Sequence, residues 1–270
     1  MKIGNREFDT HNQTYIMGIL NVTPDSFSDG GCFNNIDSAL KHVEKMVEEG
    51  ADIIDVGGES TRPGYVQISP EEEIERVVPV IERIHAEFDV PISLDTYKSK
   101  VADAGIKAGA AMINDIWGLK YEEEMAQIIA KSGVACSLMH NRAKAVYDCF
   151  LMDVISDLDQ TLQIASRAGI PNERIILDPG ICFGKTYENN LQMLHNLEEL
   201  HCFGAPLLLG ASRKSVIGLA LNLPVEEREE GTIVTTTLAV MKHYSFVRVH
   251  DVQANKRAVQ MAQVIRDAKA

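Results

Sequence analysis

Eight short apolar segments, each followed by an amphipathic helical pattern, alternate along this chain of 270 residues. Most of them are continuous apolar runs, which is typical of parallel strands covered by helices on both faces. Eight strand–helix units with no linker or repeat predict one α/β domain over residues 1–270, a (β/α)8 TIM barrel with its active site at the C-terminal strand ends. The predicted strands are residues 15–20, 53–56, 90–94, 112–114, 134–139, 174–177, 206–209 and 246–249.

An open, doubly wound sheet is the alternative fold. Such sheets usually have fewer strands, and no Gly-x-Gly-x-x-Gly follows the first predicted strand. The helix after the second strand has a clear start, because Ser69 precedes Pro70 and Glu72 in a capping-box pattern. The sequence therefore favours the barrel.

Composition narrows the classes of function. The formal net charge of −13 argues against nucleic-acid binding, which needs a broad basic surface. No apolar run approaches the roughly 20 residues of a membrane helix. The first residues lack the apolar stretch of a signal peptide, and the five cysteines are scattered without a Cys-x-x-Cys pair. These features predict a cytoplasmic protein with no membrane or nucleic-acid partner.

Polar residues gather where the predicted strands end. The C-terminal ends of barrel strands and the loops that follow them build the active site of such a fold. One polar residue there is usually a cap or a loop hydrogen bond, but a polar group after almost every strand indicates a binding site. The residues are Asn21, Asp95, Asn114, Asp115, His140, Asp178, Lys214, Arg248 and His250.

The last predicted strand carries Arg248 and His250, which are two residues apart. Side chains at this spacing in a strand lie on the same face. Two cationic groups at one strand end, near the phosphate position common in barrels, indicate an anion site. With the carboxylates of the other strands they suggest a nitrogen heterocycle that carries a phosphate leaving group.

Each of these residues also has a plain structural explanation. Asp95 precedes a helix and is a candidate N-cap. Either Asn114 or Asp115 is expected to cap a turn, and Asp178 begins an Asp-Pro-Gly turn sequence. His140 alone is more often a satisfied core histidine than a catalyst. Lys214, by contrast, begins a helix, where the dipole disfavours a cation, so another partner is expected for it.

Two long motifs and several short ones resemble the dihydropteroate synthase family. The long ones are MGILNVTPDSFSDGG at residues 17–31 and DVGGESTRPG at 55–64. The short ones run in order to the last strand and include SLDT at 93–96, LDPG at 177–180, GASRKS at 210–215 and RVH at 248–250. This family, the target of sulfonamides, joins p-aminobenzoate to 6-hydroxymethyl-7,8-dihydropterin diphosphate and releases diphosphate.

The resemblance implies a set of site residues. The pterin-binding residues would be Asp95, Asn114, Met139, Asp178, Phe183, Gly210, Lys214 and Arg248. The diphosphate would contact Asn21, Thr61, Arg62, Arg248 and His250, and p-aminobenzoate would contact Phe27, Thr61, Pro63, Phe183, Lys214 and Ser215. Catalysis would depend on Asp95, Asp178, Lys214, Arg248 and His250. The family also implies Mg²⁺ as cofactor, with Asn21 as its ligand, a homodimer, and loops 23–35 and 59–64 that close over both substrates.

The implied mechanism needs no protein nucleophile, because the pterin loses diphosphate to give a cation that the amine attacks. This agrees with the absence of a Ser-His-Asp order. The chain departs from the family at Cys182, where Gly is usual, and in segment 141–149. A methyltetrahydrofolate-binding barrel and a pterin-binding paralogue without synthase activity are the alternatives.

Overall fold

The computed structural model describes residues 1–22, 32–59 and 67–268, and within them a parallel sheet of eight strands forms a barrel. A short antiparallel hairpin, β1 (Lys2–Ile3) and β2 (Arg6–Glu7), precedes it. The barrel strands are β3 (Tyr15–Asn21), β4 (Ile53–Gly57), β5 (Ile92–Asp95), β6 (Met112–Asp115), β7 (Ala135–Met139), β8 (Ile175–Asp178), β9 (Leu208–Leu209) and β10 (Phe246–Val249). Their order is β8-β7-β6-β5-β4-β3-β10-β9, and a parallel bridge between Leu177 and Leu207 closes the cylinder.

The (β/α)8 prediction is therefore confirmed, and seven of the predicted strands overlap observed strands of four to seven residues. The seventh was predicted over residues 206–209 but pairs regularly only at Leu208–Leu209. Pro206 has no N–H to donate, so it contributes only its carbonyl, which accepts from the Leu177 N–H at 3.0 Å.

Helices surround the barrel. They are α1 (Cys32–Glu48), α2 (Pro70–Glu87), α3 (Ser99–Ala108), α4 (Glu123–Ser132), α5 (Phe150–Ala168), α6 (Tyr187–His195), α7 (Ser215–Leu221), α8 (Glu229–Met241) and α9 (Val252–Arg266). Short 3-10 helices span Asn172–Arg174, Leu197–Phe203 and Val225–Glu227. Among the described residues, no helix has the length and apolarity needed to cross a membrane.

Helix α2 shows how the sequence builds this outer layer. Ser69 accepts a hydrogen bond from the Glu72 N–H at 3.1 Å, and Pro70 occupies the first turn. Val77 and Ile81 face the barrel and are fully buried. Burial of each such side chain contributes about 1.5–3 kcal/mol, so the apolar stripe holds the helix against the strands.

The lower end of the barrel interior is an apolar floor. Inward-facing side chains of neighbouring strands form one cluster there, and the N-terminal hairpin adds Ile3 and Phe8. The Phe8 ring lies 4.8 Å from that of Tyr15 and 5.7 Å from that of Phe246. The other buried members are Met17, Ile53, Met112, Ala135, Ile176, Leu208 and Phe246. Asp95, Asn114 and Asp178 stand above this floor, at or next to the C-terminal ends of their strands.

Candidate active site

Strand register brings the predicted polar residues to one rim. Asn21 pairs with Gly57, Gly57 with Asp95, and Asp95 with Asn114, so four neighbouring strands end in one line. Asp178 lies at the end of β8, beside Met139. Because side chains of paired residues point to the same face, these groups converge on the mouth of the barrel.

Arg248 lies inside the barrel, held by two carboxylates. Its Nε donates to Asp55 Oδ2 at 2.6 Å and its Nη2 donates to Asp95 Oδ2 at 2.7 Å. Asn114 Nδ2 also donates to Asp55 Oδ2, at 3.2 Å. The second oxygens of Asp55 and Asp95 are buried and accept no hydrogen bond from any described residue. Buried acceptors normally have a partner, so these two are suited to the N–H groups of a ligand.

Burial and the neighbouring charges shift the pKa values of Asp95 and Arg248. Burial raises the pKa of Asp95 to about 7, with Arg248 opposing the shift and Asp55 adding to it. Burial disfavours the cationic Arg248, but the negative charges of Asp55 and Asp95 outweigh it and raise the pKa of the guanidinium. Arg248 is therefore a fixed cation, whereas Asp95 can change protonation near neutral pH.

Asp178 and Lys214 form the opposite wall. Asp178 Oδ1 accepts from the Gly180 N–H at 2.7 Å, so the predicted turn hydrogen bond exists. Burial raises the pKa of Asp178 and lowers that of Lys214, and the attraction between their charges opposes both shifts. A Cβ at Gly210 would lie 3.6 Å from Asp178 Oδ2 and 3.9 Å from Lys214 Nζ. Glycine at that position thus keeps the space beside both side chains free of a methyl group.

Lys214 does not serve its own helix, as predicted. It stands at the N-cap of α7 without a side-chain cap, and its Nζ donates to Ile181 O at 2.7 Å. The ammonium also lies 4.5 Å from the centre of the Phe183 ring. Phe183 packs with Met139 in a small apolar cluster at the mouth, completed by Tyr97, Ile116 and Trp117.

His250 lies on the outer side of the rim. Its Nδ1 is 2.9 Å from Ser212 Oγ, which also accepts from the His250 N–H at 3.2 Å. His250, Asn21 and Arg213 line a cavity of about 530 Å³ at the start of α9. The cavity also contains Lys45 and the N-terminus of α9, which suit an anion, together with the carboxylates of Glu49, Glu229 and Asp251, the last of which pairs with Arg213.

The hydrogen bonds of Asp95, Asp115 and His140 show which of these residues have the structural roles considered above. Asp95 does not cap α3, whose N-cap is Lys98, but pairs with Arg248. Asp115 is the turn residue, because its carboxylate accepts from the Trp117 and Leu119 N–H groups at 2.8 and 2.7 Å. His140 is a satisfied core histidine, bonded through Nε2 to Asp157 at 3.0 Å.

The remaining expected contacts of p-aminobenzoate and diphosphate are only partly described. Ser215 is exposed, and its Oγ donates to Cys182 Sγ at 3.3 Å. Cys182 has φ +68°, a left-handed conformation that explains why Gly is usual there. Phe27, Thr61, Arg62 and Pro63, with most of loops 23–35 and 59–64, lie outside the described residues.

Sequence reasoning missed Asp55, which orients Arg248. The available signal was a carboxylate at an inward position of an otherwise apolar strand, Ile53–Gly57. It also missed Lys98, which is buried and donates to Glu59 Oε2 at 2.7 Å and Glu73 Oε2 at 2.6 Å. Lys98 Nζ donates to Ile68 O at 2.9 Å as well, so it ties together the two described flanks of segment 60–66.

No group of three or more His, Cys, Asp or Glu among the described residues is arranged to hold a metal ion. Asn21 remains the candidate ligand. Its Oδ1 would lie 3.7 Å from a Cβ at Gly57, so glycine leaves the amide oxygen accessible on that side. Mg²⁺ prefers oxygen ligands and commonly takes few from the protein and the rest from phosphate and water. The residues present therefore fit a substrate-bound Mg²⁺.

Comparison with known proteins identifies the family. A model described as "Pterin binding enzyme" matches residues 17–250. A dihydropteroate synthase of Clostridium beijerinckii is 60% identical over 266 residues, which cover 98% of this chain and 99% of the relative.

Two solved structures are similar as well. The dihydropteroate synthase of Clostridium difficile, determined with pteroic acid, has a TM-score of 0.95 and 48% identity, covering 97% of this chain and 100% of that one. That of Xanthomonas albilineans, determined with 4-aminobenzoic acid, has a TM-score of 0.91 and 40% identity, covering 96% and 95%. These relatives favour the synthase over the methyltetrahydrofolate-binding alternative. The chain therefore belongs to the pterin-binding enzymes and, within them, to the dihydropteroate synthases, transferases of folate biosynthesis.

Proposed function

We propose that the barrel mouth condenses 6-hydroxymethyl-7,8-dihydropterin diphosphate with p-aminobenzoate, with the pterin in the barrel and the amine nearer to the surface. The observation that carries the placement is the group of buried carboxylates and cations above the apolar floor. Asp55, Asp95 and Asp178 face inward there with Arg248 and Lys214. A buried site with both signs of charge suits a ring that becomes cationic as it loses an anion.

The pterin is recognised by its polar edge and its flat faces. Asp178 offers a carboxylate that accepts paired N–H bonds from the aminopyrimidinone edge, and the Gly180 N–H fixes its orientation. Asn114, Asp95 and the unpartnered oxygen of Asp55 are the groups that we assign to the other ring nitrogens. Met139 and Phe183 provide apolar contact, and Gly210 leaves space for the ring.

Arg248 serves as an oriented cation beside the reacting carbon. Its two carboxylate partners fix the plane of the guanidinium, so it can stack on the pterin face and also contact the departing diphosphate. As the bond to diphosphate breaks, the negative charges of Asp95 and Asp178 favour the pterin cation. The amine of p-aminobenzoate then attacks this cation, which removes the need for a protein nucleophile.

The diphosphate is placed at the outer rim, against Asn21, His250 and Arg248, with Thr61 and Arg62 as further proposed contacts. The cavity lined by Asn21 and His250 supports this placement. Asn21 would hold Mg²⁺ through its amide oxygen, and the ion supplies positive charge to the leaving group. His250, bonded to Ser212, presents its imidazole in a fixed orientation.

We place p-aminobenzoate beside Phe183, Lys214 and Ser215, with Phe27, Thr61 and Pro63 as further proposed contacts. Lys214 supplies a cation and Phe183 an aromatic face within 4.5 Å of each other, which matches a benzoate. Ser215 is exposed, so this position lies closer to solvent than Asn114 or Asp55.

Assembly and location follow the family expectation of a cytoplasmic homodimer. Large apolar side chains are exposed on α7, α8 and α9, and a second copy of the chain is the occupant that we propose for this surface. Light scattering should then report twice the 29.8 kDa mass of one chain. The residues are Leu219, Leu221, Val234, Met241, Met261, Val264 and Ile265.

The placement of the pterin is tested with Asp178→Asn. The variant loses one acceptor of the paired N–H bonds, so calorimetry should show pterin affinity at least about 100-fold weaker, as expected for a lost charged hydrogen-bonding partner. The exposed Asp103, paired with Lys107 on α3, provides the control Asp103→Asn. Unchanged pterin affinity in Asp178→Asn would refute the placement. Diphosphate release that does not depend on p-aminobenzoate would refute the condensation.

A further inference from the structure

Lys185 follows the Asp178 turn, and its ammonium is enclosed by acceptors. Its Nζ lies 2.7 Å from His140 Nδ1, 2.9 Å from Gly180 O and 3.1 Å from Phe183 O. An ammonium has three N–H donors, so these three acceptors saturate it. Its bonds to Gly180 and Phe183 span segment 180–183, which begins beside Asp178 and ends at the aromatic ring near Lys214.

The protonation state of His140 determines the direction of its hydrogen bond with Lys185. Burial lowers the pKa of His140 to about 4, so the ring is neutral at physiological pH. Asp157 Oδ2 lies 3.0 Å from Nε2 and requires a proton on that nitrogen. The other nitrogen, Nδ1, is then an acceptor and receives a hydrogen bond from Lys185. A chain of contacts therefore runs from helix α5 through β7 to the segment after β8.

Segment 180–183 fits closely against the end of β7. A Cβ at Gly180, where φ is +69°, would come within 1.9 Å of His140 O. A Cβ at Gly184 would come within 2.2 Å of Arg142 O. The segment is therefore packed tightly against the backbone that follows β7, and the Lys185 hydrogen bonds help to hold it there, so their loss should allow the segment to shift away from that backbone.

Segment 180–183 meets the site through Lys214. The Ile181 carbonyl accepts from Lys214 Nζ at 2.7 Å, and the Phe183 ring lies 4.5 Å from the same atom. We propose that Lys185 is a positioning residue that, from behind segment 180–183, sets the place of Phe183 and thereby the affinity for p-aminobenzoate. This inference rests on the proposed placement of p-aminobenzoate beside Phe183 and Lys214.

The buried amine of Lys185 is a feature that the reaction alone does not require. Burial lowers the pKa of Lys185 to about 7, although the negative charge of Asp178 opposes the shift. Burying an ammonium costs free energy of folding, and hydrogen bonds offset part of that cost. The acceptors around Lys185 are carbonyls of the segment after β8 and the neutral imidazole of His140, so these bonds also tie that segment to the end of β7.

The test compares Lys185→Met with wild type in steady-state kinetics. Methionine keeps the length of the side chain but has no donor. The KM for p-aminobenzoate should rise about tenfold, whereas kcat and the KM for the pterin diphosphate should change by less than about threefold. The matched control is Lys120→Met, because Lys120 donates to the nearby Asp157 O at 2.6 Å and, among the described residues, makes no hydrogen bond to segment 180–183.

A double-mutant cycle with Phe183→Ala shows whether Lys185 acts through the ring. If it does, Lys185→Met has no further effect on the KM for p-aminobenzoate once Phe183 is alanine. A tenfold effect that persists in the Phe183→Ala background overturns the inference, and so does an equal rise in both KM values. Should Lys185→Met fail to fold by circular dichroism, Lys185→Gln, which keeps two donors, should show a smaller rise in the same KM.

The two failures are distinguishable. If Phe183→Ala leaves the KM for p-aminobenzoate unchanged, the proposed placement of that substrate is wrong. If Phe183→Ala raises this KM and neither Lys185 variant does, the placement stands and the positioning role of Lys185 is overturned.

Discussion

Replacing Asp55 with Asn tests how charge is distributed around Arg248. Asp55 Oδ2 lies 2.6 Å from Arg248 Nε, and Asp95 Oδ2 lies 2.7 Å from Nη2, so the two carboxylates are neighbours on one guanidinium. Asparagine keeps the shape of Asp55 and an oxygen that accepts from Nε. The substitution therefore removes one negative charge with little change in packing.

The expected effect is a lower pKa for Asp95. Burial raises that pKa to about 7, and the charge of Asp55 adds to the shift. A like charge disfavours the ionised carboxyl, and an Arg within about 4–6 Å lowers a carboxyl pKa by roughly 1–3 units. Arg248 forms ion pairs with Asp55 and Asp95. In Asp55→Asn, Asp95 is the carboxylate of this pair that still carries a charge. Both changes favour the ionised form, so we expect the pKa of Asp95 to fall by at least about 1 unit.

The pH dependence of kcat/KM measures this shift. Because ionised Asp95 favours the cationic pterin, kcat/KM should fall as the pH drops through the pKa of Asp95 in the free enzyme. The acid limb should lie near pH 7 in wild type and at lower pH in the variant. Diphosphate release is followed with both substrates, and Asp103→Asn is the control. An acid limb at the same or a higher pH in Asp55→Asn would refute the reasoning.

Three further predictions concern stability, measured by urea denaturation. Replacing Cys182 with Gly should raise the free energy of unfolding by about 1 kcal/mol, because a non-glycine residue at φ +68° is strained; a decrease would contradict this. Lys98→Met should cost about 3–5 kcal/mol, since Glu59 and Glu73 lose their shared buried cation; a wild-type midpoint would disprove it. Below its unfolded pKa of 6.5, His140 binds a proton more readily in the unfolded chain than in the folded one, whose pKa is about 4. The contribution of His140 to stability should therefore rise by up to about 3 kcal/mol from pH 4 to 6.5 and then level off, so the difference in the free energy of unfolding between wild type and His140→Gln should change by that amount over the same range; a difference that stays constant with pH would rule out this role of His140.

The site residues that sequence reasoning found share a simple relation to the fold. Asn21, Asp95 and Asp178 each end an apolar segment, and parallel strands bring such ends to one rim whatever the exact register. Lys214 was recognisable because a cation at a helix start conflicts with the helix dipole. These signals lie within short stretches of sequence, so they can be recognised before the packing of the chain is known.

The residues that were missed depend on contacts between distant parts of the chain. Asp55 and Arg248 are 193 positions apart in the sequence, and Lys185 and His140 are 45 positions apart. The sequence around one residue does not indicate its partner, since a carboxylate within a strand or a lysine in a loop has many ordinary explanations. The short β9 was also beyond local reasoning, because the apolar run 206–209 does not show how many of its N–H groups find a partner strand.

The apolar floor of the barrel affects the order in which molecules enter and leave. Ile3, Phe8 and Phe246 close the lower end, so ligands enter and leave through the mouth. In the proposed arrangement the pterin lies at the level of Asn114, which is buried, and p-aminobenzoate near Ser215, which is exposed. The inner molecule must then arrive first and depart last. An inhibitor in the outer position would trap the inner molecule, and its own residence time would set how long that molecule stays.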